Sequence, residues 1–201
     1  YHRVVPRGFT RVLARLAELS ARGVRVVLFT GNHDMWCYDY LAQECGVEIV
    51  RNPRVVELDG VKVHLAHGDN LNISGQPMLK LMNTIFRSSV ARTLFSWLVH
   101  PDLALKFGLW WSGKSRKSHN KTLMGVDNLR PLVEYAREHN LKNGDVEHYI
   151  FGHMHLPHYV REERFEVLFL GDWCGAEAVY ATMNDDNNLK LNTFAIDETV
   201  S

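Results

Sequence analysis

Val24-Arg25-Val26-Val27-Leu28-Phe29-Thr30 runs straight into Gly31-Asn32-His33-Asp34, and this junction decides how the rest of the chain is read. An apolar run of strand length is what a strand buried in an α/β layer looks like. A glycine and three polar side chains follow at its carboxyl end, where open α/β sheets place their ligands. The arrangement recurs twice: Val61 to Ala66 delivers His67-Gly68-Asp69, and His148 to Phe151 delivers Gly152-His153-Met154-His155. Helical patterns separate the strands. Gly8 to Arg22 carries Phe9, Val12, Leu13, Leu16 and Leu19 on one face and stops at Gly23. Tyr38 to Cys45 reads as a short helix closed by Gly46, and Asn128 to Asn140 as another with Leu129, Leu132, Val133 and Ala136 inward. Val47 to Val50 is a short strand. Asp59-Gly60 between Val55–Leu58 and Val61–Ala66 predicts a hairpin. Glu166–Leu170, Ala176–Met183 and Leu189–Ile196 complete the strands, the last two joined through Asp185-Asp186-Asn187-Asn188. The class is α/β.

Composition narrows the function. The 201 residues suffice for a compact domain with a real core. Lys plus Arg equals Asp plus Glu at 23 each, which argues against a dominant attraction to nucleic acid. Cys37, Cys45 and Cys174 show no metal-ligand spacing and read as reduced thiols of an intracellular protein. The 11 His residues favour metal chemistry. The start, Tyr1-His2-Arg3, is neither an initiator Met nor a signal peptide and reads as a cut end. The greasiest stretch, Leu94 to Trp111, is interrupted by His100, Pro101, Asp102 and Lys106, so it is no simple membrane span.

Histidines, an asparagine and carboxylates at rigid strand ends suit a site for two divalent cations, which activate a water and stabilise both oxygens of an in-line displacement at phosphorus. Such mixed ligands suit Mn²⁺, Fe²⁺ or Zn²⁺.

The three clusters resemble the calcineurin-like metallophosphoesterases, whose pattern runs DxH, GDxxD, GNH[DE], a His, then GHxH. The last three stand here in order as GNHD, HGD and GHMH. The resemblance implies a four-layer α/β/β/α sandwich whose first strands, with the DxH and GDxxD ligands, are missing from this chain. It implies two divalent metal ions, Mn²⁺ foremost. Asn32, His67 and His153 would bind one ion and His155 the other. Asn32 and His33 would be the catalytic pair, with the His33 imidazole facing the phosphate and protonating the leaving group. Asp34 is either a loop-supporting carboxylate or a plain turn residue.

A Leu-, Phe- and Trp-rich insertion, residues 76–125, divides the core into 1–75 and 126–201 and is expected to form several short amphipathic helices acting as a lid. Trp97 and Trp110 are candidates to line an apolar chamber, and Ser115, Arg116, Lys117 and Lys121 to meet a phosphate-rich headgroup. With GNHD, this insertion is similar to that of the UDP-2,3-diacylglucosamine pyrophosphatase branch. That branch implies a lipid-linked nucleotide sugar as substrate, hydrolysed to UMP and the acylated sugar phosphate in lipid A synthesis. It also implies a cytoplasmic protein, peripheral on the inner membrane of a Gram-negative bacterium. The alternatives are a phosphoesterase for a soluble nucleotide or phosphoprotein, or a non-catalytic membrane-surface module if the upstream motifs are absent. Oligomeric state is not legible.

Other residues carry smaller expectations. Gly171-Asp172-Trp173 is read as a strand-end turn with a packed Trp, or as closing the pocket. His158 is read as a surface or supporting histidine, His64 as exposed or paired, and His100-Pro101 as a helix boundary.

Overall fold

The computed structural model describes residue 5 and residues 7–34, 37–71, 77–121, 125–173 and 177–196, with backbone alone at 77–79, 82, 111, 112 and 114–121. The chain divides into two compact units, Tyr1–Asn52 with Ile73–Leu123, and Pro53–Asn72 with Met124–Ser201.

In the first unit, α1 (Thr10–Ala21) and α2 (Tyr40–Cys45) accompany a parallel pair of strands, β1 (Val27–Phe29) and β2 (Glu48–Val50). The strand expected over Val24 to Thr30 narrows because β2 offers only a three-residue partner; Val24 stays 47% exposed, and Arg25 turns to the Glu48 carboxylate at 2.7 Å. The Thr30 amide still donates to the Val50 carbonyl at 2.9 Å, so the chain enters Gly31 from a fixed position. On α1, Leu13, Leu16 and Leu19 are half-buried, while Phe9 and Val12 are exposed.

Helices are expected between residues 76 and 125, and three form there: α3 (Pro77–Arg87), α4 (Ser89–Leu98) and α5 (Pro101–Lys121). Ser88 caps α4 by accepting the Ala91 amide. The boundary at His100-Pro101 holds, with α4 ending at Leu98 and α5 starting on the proline. The helices are not all short, since α5 has 21 residues. The corner between α3 and α4 is tied to the segment behind the GNHD loop. Tyr38 donates its hydroxyl to the Arg92 carbonyl, the Arg92 guanidinium lies 5.0 Å above the Tyr38 ring, and Arg51 and Arg87 donate to the Cys37 and Arg51 carbonyls. Among the described residues no helix is long and apolar enough to cross a membrane.

The second unit holds a five-stranded sheet in the order β3-β4-β5-β7-β6, built from β3 (Arg54–Leu58), β4 (Val61–Ala66), β5 (His148–Phe151), β6 (His158–Arg161) and β7 (Glu166–Phe169). The hairpin turns through Asp59 and Gly60 at φ 48° and 85°, the left-handed pair that a two-residue turn demands. Strands β4, β5 and β7 are parallel and in register, so Ala66, Phe151 and Phe169 end together at one sheet edge. Strand β6 is absent from the sequence reading; its residues His158, Tyr159, Val160 and Arg161 lack a clear alternation. After a 3-10 turn (Val126–Leu129), α6 (Arg130–Asn143) lays Leu132, Val133 and Ala136 against the sheet, where Tyr149, Phe151, Val167 and Phe169 are fully buried. The hairpin of β8 (Glu177–Met183) and β9 (Leu189–Ala195) reaches the opposite side of β5, where His148 Nε2 meets the Asn187 carbonyl at 3.1 Å.

His64 is paired and not exposed. It retains 1% of its surface, because α6 brings Tyr135 and His139 over its side of β4. Its Nε2 meets the Tyr135 hydroxyl at 3.2 Å and its ring stacks on Tyr149 at 5.2 Å. Burial, then the charge of His139, push the His64 pKa from 6.5 down to about 4. The native cluster therefore refuses a proton that the unfolded chain accepts. Stability from this residue is intact above pH 6.5 and is lost as the pH falls toward 4, by about 3 kcal/mol in all. Urea unfolding across that window should show the loss, and His64→Gln should flatten that part of the profile. An unchanged slope in the variant would assign the proton elsewhere.

Candidate metal centre

Three loops leave the same edge of the five-stranded sheet, one from each parallel strand: His67-Gly68-Asp69 after β4, Gly152-His153-Met154-His155 after β5, and Leu170-Gly171-Asp172 after β7. Their strands have neighbouring, in-register ends, so side chains widely separated in sequence meet there.

The His67 and His153 rings stand edge to face with centroids 5.2 Å apart. Gly152 lies against the His67 ring; a Cβ there would be 3.5 Å from Nδ1, an ordinary contact. His153 and His155 both adopt left-handed backbone, at φ 65° and 54°. For residues other than glycine this costs on the order of 1–3 kcal/mol each, and such strain gathers at functional sites. Met154 donates to the Gly152 carbonyl at 2.7 Å, which holds the tight bend between the two histidines. His155 Nδ1 meets Asp172 Oδ2 at 2.8 Å. Asp69 is buried, at 5% exposure.

In the first unit, Asn32 and His33 sit beyond the end of β1, Asn32 half-buried and His33 exposed. The Asp34 amide donates to the Gly31 carbonyl at 3.0 Å and its carbonyl accepts from Cys37 at 2.9 Å, so Asp34 forms the turn of this loop. The structure thus brings His67, His153 and His155 to one edge of the second unit, while Asn32 and His33 occupy the equivalent strand-end position in the first.

Of the insertion candidates, Trp97 is 87% and Trp110 57% exposed, the latter against Phe107 at 5.9 Å between centroids. Ser115, Arg116, Lys117 and Lys121 lie on the last third of α5, and their side chains fall outside the described residues. His158 is half-buried in β6, in register with Phe169. Trp173 is 66% exposed and not packed, and its indole donates to the Val179 carbonyl at 2.8 Å.

Among the described residues, no three His, Cys, Asp or Glu side chains gather closely enough to close a metal site by themselves. The donors present nevertheless fit a divalent cation in kind. Two facing imidazoles, and a third backed by a carboxylate, are nitrogen ligands that Mn²⁺, Fe²⁺ and Zn²⁺ accept. Sequence reasoning missed the pairing of Asp172 with His155 and the burial of Asp69. Both acids stand at carboxyl ends of apolar strands, the position that had singled out the histidines.

Comparison with known proteins agrees with the motif reading. The calcineurin-like phosphoesterase family matches residues 2–157. The chain is 40% identical over 187 residues to UDP-2,3-diacylglucosamine hydrolase of Porphyromonas gingivalis, covering 86% of this chain and 71% of that protein. It is 28% identical over 194 residues to the protein of the same name from Stutzerimonas stutzeri, covering 94% and 78%. The corresponding Haemophilus ducreyi protein is 24% identical over 164 residues, covering 82% and 68%. With three motif loops at the ends of adjoining or equivalent strands and a family match across most of its length, this chain belongs to the calcineurin-like phosphoesterases, a family of hydrolases that work with divalent metal ions.

Proposed function

We propose that this protein hydrolyses the pyrophosphate bond of UDP-2,3-diacylglucosamine, releasing UMP and 2,3-diacylglucosamine 1-phosphate for lipid A synthesis. The observation that carries the proposal is the 40% identity to a hydrolase named for that substrate, across a stretch that includes all three motif loops. In this reading Asn32, His67 and His153 hold one divalent ion and His155 the other, with Mn²⁺ as the working metal. When bound, such ions supply an activated water and neutralise charge on the diphosphate. His33 contacts the phosphate beside uridine and gives a proton to the bridging oxygen as the sugar phosphate leaves. Asn32 holds the loop that presents His33. One bond forms, from water oxygen to the uridine-side phosphorus, and one breaks, from that phosphorus to the bridging oxygen.

Residues 76–125 are the lid in this reading. Trp97, Leu98, Leu103, Leu109 and Trp110 are all more than half exposed, an apolar supply suited to acyl chains and to the cytoplasmic face of the inner membrane. Ser115, Arg116, Lys117 and Lys121 follow along α5 as partners for the headgroup.

The test is UMP release from the acylated UDP-sugar by the intact protein with Mn²⁺. Release supports the proposal. No release, with turnover of a small phosphodiester retained, would point to a soluble substrate; loss of both would favour the binding module. Deleting residues 94–111 should impair the acylated substrate far more than the small diester, whereas equal loss would make the segment structural.

A further inference from the structure

The pairing of Asp172 with His155 is built with more care than a surface ion pair needs. Asp172 is held on both sides. At Gly171 a Cβ would lie 3.0 Å from the Val179 Cβ and 3.3 Å from the Pro157 ring, so any larger residue would require these neighbours to give by a few tenths of an ångström. On the other side the Trp173 indole donates to the Val179 carbonyl at 2.8 Å. Both neighbours thus lie against Val179 of β8, with Asp172 between them. Pro157 also belongs to the segment that leaves His155, so the two loops are braced against each other. His155 itself is held by its left-handed backbone at φ 54°.

Stability does not account for this arrangement. The two side chains are 48% and 36% exposed, and a pair so open to water contributes at most about 1 kcal/mol. The consequence for the imidazole is larger. A carboxylate accepts and does not donate, so in the neutral imidazole that a metal requires, Nδ1 carries the proton and Nε2 presents the lone pair. One tautomer and one ring orientation are thereby selected.

We infer that Asp172 is a positioning residue that sets His155 as an Nε2 ligand for a divalent cation, at the sheet edge where β5 and β7 end. The inference rests on the reading of His155 as a metal ligand. A carboxylate behind a ligating imidazole makes the nitrogen more basic, and its loss lowers metal affinity by roughly 10–100-fold. The neighbouring pair His67 and His153 has its own contacts, so the loss should fall on one of two binding events.

The experiment is a Mn²⁺ titration of the intact protein, followed by calorimetry and by the electron paramagnetic resonance signal of free Mn²⁺. Asp172→Ala should weaken one binding event by roughly 10–100-fold and leave the other and the urea midpoint unchanged. Asp172→Asn, which keeps an acceptor without charge, should recover part of the loss. In His155→Ala, adding Asp172→Ala should cost nothing further. If Asp172→Ala, or Asp172→Asn should the alanine variant not fold, binds Mn²⁺ as the parent does while His155→Ala loses one event, the positioning role is overturned and the ligand stands. If His155→Ala keeps both events, the ligand assignment itself falls, and this inference with it.

Discussion

Alanine at His67 or at His153 is expected to remove metal and turnover together. The two rings stand edge to face, 5.2 Å apart at the ends of β4 and β5, and each is only half-buried. Neither supports the core, which lies among Tyr149, Phe151, Val167 and Phe169 beneath α6. Truncation should therefore spare the fold and remove a nitrogen donor. Bound metal supplies several kcal/mol of transition-state stabilisation, so turnover should fall by roughly 10³-fold or more. Metal content measured on the same preparation should fall in parallel. Full occupancy in either variant, whatever its activity, would show that the ring is not a ligand.

His33→Ala is expected to behave in the opposite way with respect to metal. His33 is exposed in the turn beyond β1, so its removal leaves the strand pairing untouched. As a proton donor to the leaving oxygen it contributes roughly 10²–10⁴-fold to the rate. The variant should keep its metal and lose that factor. A leaving group that needs no proton should restore most of the rate. A variant that loses metal along with activity would make His33 part of the metal site.

Strand ends and the helices between residues 77 and 121 were legible because each has a local signature. An apolar run of strand length followed by glycine and histidine marks a loop at a parallel sheet edge, and the hairpin at Asp59-Gly60 follows from turn chemistry alone. Residues without such signatures were harder. Strand β6 carries His158 and Arg161 at its ends and forms because β7 offers an antiparallel partner, a tertiary fact. For His64 the choice between exposed and paired stayed open, because strand alternation says which side a residue faces and nothing of what covers that side; Tyr135 and His139 cover it. The bond between His155 and Asp172 spans two loops brought together only by the β5–β7 pairing, so no spacing rule announces it. The partial site follows the same logic: the histidines were readable one motif at a time, whereas their grouping depends on strand order.

The measurement that bears most directly on the account is anomalous diffraction from crystals of the intact protein grown with Mn²⁺. The account predicts two neighbouring peaks, one within coordinating distance of His67, His153 and Asn32, the other of His155. Peaks elsewhere, with these four side chains uncoordinated, would contradict it.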